Sequence, residues 1–339
     1  MSTSKGRITI REIAAAAGVS TSAVSYVLNN RKGVSDETRS RVQDVIQHYG
    51  YQPNINSLRL VSRRSFNIRI AIQNRSSPFH DFFFHEIARG VLEGSAQAGY
   101  NIVFCNLNNT ASSEDFFHGI DRADTDGIIF FLDVDAVLIN RVRQEQIPAV
   151  VIDGHDTRSD IVQVLADYRV AAAKATETLI AHGHRHICLT GNNLVKGYFN
   201  QVFAGFRDAI GRAGISVPVE WVLSDNDNED DARSSMLKLL QSGVRPTGVV
   251  CASDILAVGV IQAVKSYGLS VPGDISVVGI DDIVLSRYIE PALTTVRIDK
   301  VRMGRIAVNL LLHLIGGSSA ESVVVPSDDL ILRDSVRSI

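Results

Sequence analysis

Hydroxyl and aromatic side chains near the N-terminus are spaced for recognising a polar surface rather than for making or breaking bonds. Thr21, Ser22, Ser25 and Tyr26 lie on one side of a short helical pattern whose other side is Val24, Val27 and Leu28. In the second helix of a helix-turn-helix, outward groups near the helix start reach base edges in the major groove. A second constellation, His182-X-His184-X-His186, alternates along the chain. It lacks the i, i+4 spacing of a helical zinc site, so no metal and no catalytic role is expected of it. Neither common Gly-rich phosphate loop nor a Gly-X-Ser-X-Gly nucleophile elbow is present, so neither an enzyme nor a cofactor is expected.

The elements that must hold those hydroxyls are legible. Thr9 is placed to cap a helix from Ile10, whose Ile10, Ile13, Ala14 and Ala17 form an apolar stripe, and Gly18 is placed to end it. Ser20 caps the second helix across a Gly-Val-Ser turn, with the small Ala14 where the two approach. Ser35 caps a third helix, expected to put Val42, Val45, Ile46 and Tyr49 on one face and to stop at Gly50. Pro53 and Asn54 then introduce a helix of about two turns, too short to be stable unless packed on something, and so a candidate to fold on binding.

Charge separates this head from the rest. Residues 1–64 hold ten Lys or Arg against four acids, a net of +6, which leaves −9 on the other 275 residues of a chain whose total is −3. A basic head on an acidic body suits a phosphate-binding module joined to a domain that does not bind nucleic acid. At 339 residues the chain is expected to form two or three domains. No apolar run is long enough to span a bilayer and no secretory h-region is evident, so no membrane association and a cytoplasmic location are expected. Cys105, Cys188 and Cys251 are odd in number and each sits in an apolar stretch, as reduced core thiols do.

From Phe66 onward, apolar runs at 68–72, 102–107, 128–132 and 149–153 alternate with helical patterns, and a second series follows at 187–191, 249–252 and 275–280. Strands alternating with helices imply α/β architecture, here two doubly wound parallel sheets, with ligands beyond the carboxyl ends of the strands and between the lobes.

The string Ile8-Thr-Ile-Arg-Glu-Ile-Ala, Ala-Gly-Val-Ser, Val-Ser-Tyr-Val-Leu-Asn, Val-Ser-Asp-Glu-Thr-Arg and Gly-Tyr-Gln-Pro-Asn within residues 8–60 resembles the DNA-binding head of the LacI/GalR family. The likeness continues through Gly183-His-Arg, Ser253-Asp and residues 275–299. It implies an all-α helix-turn-helix head on a bilobed, periplasmic-binding-protein-like body. The function it implies is that of a transcriptional regulator, a repressor by expectation, of double-stranded DNA with a palindromic operator, controlled by a small-molecule effector such as a sugar. Carried over by position, Thr21, Ser22 and Tyr26 read bases, and Thr9, Ser20, Ser25, Asn29, Ser35 and Thr38 hold phosphates. The hinge adds Asn54, Ser57 and Leu60, with Leu60 as the wedge between central base pairs. In the body, Asp281, Ser253 and Asn226 fall on effector-binding positions, Asp153 ends a strand facing the cleft, and Phe79 or Phe84 is placed to stack on a ring.

The implied domains are 1–52 (head), 53–64 (hinge) and 65–339, the last divided into an N-subdomain of about 65–165 and 293–326 and a C-subdomain of about 166–292 and 327–339. Two positions depart from the pattern. Tyr26 stands where many members carry arginine, and Val202 stands where many sugar-binding members carry a pocket arginine, the residue suited to bidentate recognition. No leucine heptad of the kind that tetramers use follows residue 339, so a homodimer is expected. A small-molecule binding protein or sugar-processing enzyme with an incidental basic head, and an architectural DNA binder, are the alternatives.

Overall fold

The computed structural model describes residues 8–28, 32–51, 64–72, 82–106, 124–132, 134, 136–154, 161–192 and 196–339. Two compact units divide at Ser65 and Phe66. The first holds α1 (Ile10–Ala17), α2 (Thr21–Leu28) and α3 (Asp36–Tyr49). Thr9 and Glu12 form a reciprocal capping box on α1, and Gly18 closes it at φ +64. That left-handed backbone costs glycine little and turns the chain sharply into α2. Ile13, Ala14, Ala17, Val24, Val27 and Val42 close the core, with Val45 and Ile46 packed against it. Tyr49 departs from expectation: it is 51% exposed and meets His48 edge to face, whereas Tyr51, beyond the Gly50 cap, packs against the core.

The second unit runs β1 (Asn67–Ile72), α4 (Phe82–Gln97), β2 (Asn101–Asn106), β3 (Gly127–Phe131), α5 (Ala136–Gln144), β4 (Ala149–Ile152) and β5 (Val162–Ala166). It continues with α6 (Tyr168–Ala181), β6 (Ile187–Thr190), α7 (Lys196–Arg212), β7 (Val222–Leu223), α8 (Glu229–Gln241), β8 (Gly248–Cys251), α9 (Asp254–Ser266), β9 (Ser276–Asp281) and β10 (Thr294–Arg297). Last come α10 (Lys300–Ile315), β11 (Val323–Val325) and β12 (Asp329–Ile331). The strands form two sheets, ordered β11-β5-β4-β3-β1-β2 and β12-β10-β9-β8-β6-β7, parallel except for β12 against β10. Every residue of β1, β3, β4, β6, β8 and β9 is buried. Burial along whole strands requires helices on both faces, which explains why these runs are continuously apolar rather than alternating.

The chain therefore passes between the sheets three times: after β5, after β10 and after β11. The second passage corrects the expected boundary at 292–293, because Thr294–Arg297 pairs with β9 and belongs to the second sheet. A short polar strand edge of this kind carries no hydrophobic signature that would separate it from a linker. Cys188 and Cys251 are buried, as expected, and burial pushes the Cys188 thiol up to about 12. Cys105 is instead partly exposed, its sulfur accepting from Arg69 Nη1 at 3.4 Å.

In the first lobe α4 and α10 cross almost backbone to backbone. A Cβ on Gly90 would lie 2.1 Å from the Val301 carbonyl oxygen, and one on Gly304 2.3 Å from that of Ile87. In the second lobe, fully buried Asp254 joins three segments: it accepts from Ile283 N at 3.0 Å, Ser286 Oγ at 2.5 Å and Thr295 Oγ1 at 2.6 Å. Burial raises its pKa to about 6 despite those donors.

Gly90→Ala should lower stability by about 1–3 kcal/mol through overpacking, whereas Gly211→Ala, with nothing within 4 Å of the new methyl, should raise it by about 0.5 kcal/mol; urea midpoints by circular dichroism read both. Asp254 binds its proton more tightly folded (about 6) than unfolded (about 3.9), so it adds stability at low pH that is lost as pH rises from about 4 to 6. His184, held neutral chiefly by burial, acts oppositely, losing stability as pH falls below about 6.5. Comparing wild type with Asp254→Asn cancels the histidine: the wild-type advantage should shrink by about 2 kcal/mol between pH 4.5 and 7, followed through Trp221, the single tryptophan.

Candidate functional site: a helix-turn-helix head and an interlobe cleft

On the head, α1 and α2 pack through Ala14, Ala17, Val24 and Val27, which leaves the opposite side of α2 to solvent. Thr21, Ser22 and Tyr26 are exposed there, and Ser25 is partly buried. The Tyr26 ring is 40% exposed and lies against Gly33, 3.3 Å from where a Cβ would stand. Ser20 and Ser35 are exposed caps, accepting from Ala23 N at 3.2 Å and Thr38 N at 3.3 Å, and Ser35 also donates to Thr38 Oγ1 at 2.9 Å. Thr9 donates its hydroxyl to Glu12. A helix N-terminus with an exposed hydroxyl cap presents N–H donors and positive dipole to phosphate, and both α2 and α3 are built this way. Asn29, Asn54, Ser57 and Leu60 lie outside the described residues.

In the body, the carboxyl ends of β4, β8 and β9 bring candidate residues together across the lobes. Asp153 follows β4 in the first lobe and accepts from the Tyr168 hydroxyl, at the start of α6 in the second lobe, at 2.9 Å. Tyr168 meets Tyr198 edge to face, ring centroids 4.5 Å apart, and the Tyr198 hydroxyl donates to the Ala252 carbonyl at the end of β8. Burial, and then the negative charges of Asp153 and Asp281, push both phenols well up. Asp281 ends β9, and its carbonyl accepts from the Lys300 ammonium at the start of α10. That ammonium, 1% exposed, also pairs with Glu86 on α4 at 3.2 Å and stands 5.9 Å from the Phe83 ring centroid.

Backbone strain marks the same edge. Asp153, Asp281 and Asp282 have φ of +59, +124 and +52, a region that non-glycine residues enter at a cost of about 1–3 kcal/mol. Asp282 supplies one compensating anchor. Its buried carboxylate accepts from Arg297 Nε at 2.9 Å and Arg333 Nη2 at 2.5 Å, gripping both chain passages that flank α10 and β11. Burial opposes its ionisation, but the two guanidiniums outweigh that and hold its pKa below the usual carboxylate value.

Other expected residues fare differently. Ser253 is partly buried and caps α9 through Leu256 N at 3.4 Å. Asn226 is fully buried, and its amide hydrogens are both taken, by Thr190 Oγ1 and the Leu223 carbonyl at 2.8 Å each, leaving Oδ1 unbonded. Phe84 does not offer its ring to a ligand: it is 5% exposed and stacks on Phe131 at 5.7 Å, because the register of α4 turns it into the core. The ring beside Lys300 is Phe83, one position earlier. Phe79 lies outside the described residues. Val202 is wholly in the core. Tyr168, Tyr198, Lys300 and Glu86 were not singled out from sequence; a lysine directly after an aspartate cap, Asp299, was the available hint.

The histidine string is structural. His182 Nδ1 lies 2.8 Å from the Thr178 carbonyl, His184 bridges Thr247 Oγ1 and the Arg337 carbonyl at 3.1 and 3.0 Å, and His186 meets Trp221 edge to face. Among the described residues no cluster of three or more metal-ligating side chains occurs, and no helix is long and apolar enough to cross a membrane.

Comparison with known proteins covers both parts of the chain. The model of bacterial regulatory proteins, lacI family, matches residues 9–54, and that of the periplasmic binding protein-like domain matches residues 176–336. The chain is 33% identical to the HTH-type transcriptional repressor PurR of Pasteurella multocida, over 97% of this chain and 99% of that protein. It is 29% identical to the ribose operon repressor of Haemophilus influenzae, over 98% and 99%. Among solved structures it is similar to the lac repressor dimer bound to operator and the anti-inducer ONPF, with TM-score 0.76, 25% identity and coverage of 98% and 99%. It is also similar to a complex of the transcriptional regulator CelR with cellobiose, with TM-score 0.74, 26% identity and coverage of 97% and 100%. A capped helix-turn-helix ahead of two parallel sheets joined by three passages, matched over nearly its whole length by such repressors, places this chain in the lacI family of bacterial regulatory proteins.

Proposed function

We propose that the chain acts in the cytoplasm as a homodimeric repressor that reads a palindromic operator with Thr21, Ser22 and Tyr26, and answers to a sugar or related metabolite held between Asp153 and Asp281. The observation that carries this reading is the pairing of an exposed hydroxyl face on α2 with an interlobe meeting of strand ends, each in its own compact unit. The relatives PurR and the ribose operon repressor are repressors, which supports a binding role rather than catalysis, and the lac repressor dimer supports two-fold assembly. In two-fold assembly the two heads meet half-sites about one helical turn or a multiple apart.

In this reading residues 1–52 form the head, 53–64 the hinge, and the lobes of the body transmit effector occupancy to the hinge. Thr9, Ser20, Ser25, Asn29, Ser35, Thr38, Asn54 and Ser57 hold phosphates, and Leu60 wedges into the minor groove. An effector changes operator affinity only by its differential affinity for two lobe arrangements, typically about 1–3 kcal/mol.

A gel shift on the DNA upstream of the protein's own gene tests the assignment. A sequence-selective band is expected, weakened by about 1–3 kcal/mol in Tyr26→Ala or Thr21→Ala. Leu60→Ala should reduce operator binding sharply while leaving the salt-dependent binding to random DNA largely intact. Selective binding absent in every ligand state would favour a small-molecule binding protein, and binding indifferent to all metabolites an architectural one.

A further inference from the structure

Asp254 is a fully buried carboxylate beneath the cleft edge, with three donors converging on it. It opens α9, and its Oδ1 sits against Gly279 of β9, where a Cβ would stand 2.1 Å away. Oδ1 accepts from Thr295 Oγ1 on β10 at 2.6 Å. Oδ2 accepts from Ile283 N at 3.0 Å and from Ser286 Oγ at 2.5 Å, the latter in the short 3-10 helix Val284–Arg287. The Thr295 hydroxyl that donates to Asp254 in turn accepts from Asp282 N at 3.3 Å. One carboxylate therefore holds the strained pair Asp281 and Asp282 in two ways: through the hydroxyl behind the Asp282 amide, and through the amide that follows it. Lys300 is a cation whose charge Asp254 feels, and that ammonium binds the Asp281 carbonyl.

Each of these three hydrogen bonds uses Asp254 as an acceptor. A proton on either oxygen turns that oxygen into a donor and aims it at a hydroxyl that is itself donating, so Thr295 or Ser286 must rotate away. The bonds that remain lose their charge assistance, which is roughly half their strength. Burial places this proton close to neutral conditions by raising the carboxyl to about 6. Among the described residues, the titratable and charged groups around it are Cys251 on β8, Tyr198 on α7, Lys300 on α10, and Asp281 and Asp282 at the end of β9, the last paired with Arg287, Arg297 and Arg333. Cys251 and Tyr198 are pushed well up and Asp282 is held low, so none of these three changes charge near pH 6.

We infer that Asp254 is a positioning residue for the cleft edge and couples one proton to the shape of the turn at Asp281 and Asp282: ionised, it holds the turn ready for ligand, and protonated, it lets the turn go. This rests on the reading of Asp281 as an effector contact and adds to that site a regulation by acidity. A purely structural carboxyl has the opposite signature. The fold as a whole favours protonated Asp254, so a structural role makes the turn better protected in acid, whereas the positioning role makes it less protected.

Hydrogen exchange of the full-length protein, read by mass spectrometry on the peptide around residues 281–287 and corrected for intrinsic pH dependence, tests this at about pH 5 and pH 7.5. Protection in the wild type should be lower at pH 5 by about 10-fold or more. In Asp254→Asn, whose amide is neutral at both pH values, protection should be low throughout and change by less than about 3-fold. Infrared difference spectra should show a protonated carboxyl band that appears in the wild type with a midpoint of about 6 and is missing in Asp254→Asn. Ser286→Ala removes a donor to the ionised form, so it should move that midpoint to higher pH, and it decides in place of Asp254→Asn if the latter does not fold. Calorimetry with D-ribose, cellobiose and guanosine adds a functional readout: a probe bound at pH 7.5 should weaken by about 10-fold at pH 5 in the wild type and by less than about 3-fold in Asp254→Asn. Should none of the three bind, exchange and infrared decide. Equal or greater protection of the wild-type turn at pH 5, a band or exchange step that persists in Asp254→Asn, a midpoint unmoved in Ser286→Ala, or equal acid weakening of a probe in both proteins would overturn the inference. Exchange and infrared need neither ligand nor DNA. Failure of the effector reading, seen as ligand binding indifferent to Asp281→Ala, is therefore registered separately from failure of the proton link.

Discussion

One ammonium group sits where the two lobes must agree. Lys300 belongs to α10, which packs on the first sheet, yet its Nζ is bonded to the carbonyl that ends β9 in the second sheet and to Glu86 of α4 in the first. A buried lysine costs several kcal/mol in desolvation unless partnered, so the oxygens that bind it must stay in place for the body to be stable. Moving one lobe against the other would change the geometry of that group. The Tyr168–Asp153 bond is the second such tie, formed between lobes by residues on either side of the first chain passage. Both ties end on or beside Asp153 and Asp281, so in the proposed reading a ligand at those aspartates would bias the lobe arrangement.

The strained backbone at Asp281 and Asp282 fits that geometry. With consecutive residues at φ +124 and +52, one aspartate belongs to the cleft edge and the next reaches Arg297 and Arg333 on the two passages beside it. A ligand that pulls on Asp281 therefore acts one peptide away from the anchor of the crossing strands. Asp254 locks the same region from beneath through Ile283, Ser286 and Thr295. Well-anchored strand ends of this kind transmit a shift as a unit, since packed interiors move between discrete arrangements rather than deforming smoothly.

Much of this was legible in the sequence where the controlling interaction is local. The caps at Thr9 and Ser35, the glycines that end α1 and α3, and the apolar runs of the sheets depend on neighbours within a few residues, and they form as expected. What was missed depends on tertiary packing. Phe84 was named and Phe83 was not, because the phase of a helix cannot be fixed to one residue when its start is not marked by a cap. Tyr49 has the right spacing for the core of the head but lies a turn beyond where α3 meets it. Residues 294–297 were assigned to the N-subdomain because β10 is four residues long and begins with two threonines, which gives no apolar run to mark it as a strand of the second sheet. Lys300, Glu86, Tyr168 and Tyr198 carry no local motif, and only the crossing of the chain between two sheets brings them to the cleft.

The central claim is that occupancy of the cleft and affinity for operator are coupled through the lobes. Its most direct test is reciprocity: measure, by fluorescence anisotropy, the factor by which a saturating cleft ligand changes the Kd for a labelled operator, and by calorimetry the factor by which saturating operator changes the Kd for that ligand. Linkage requires the same factor in both directions, and the account predicts a shared value of about 5- to 150-fold that collapses toward unity in Tyr168→Phe. A ligand bound at the cleft that leaves operator affinity unchanged, or full coupling retained when the Tyr168–Asp153 tie is removed, would contradict it.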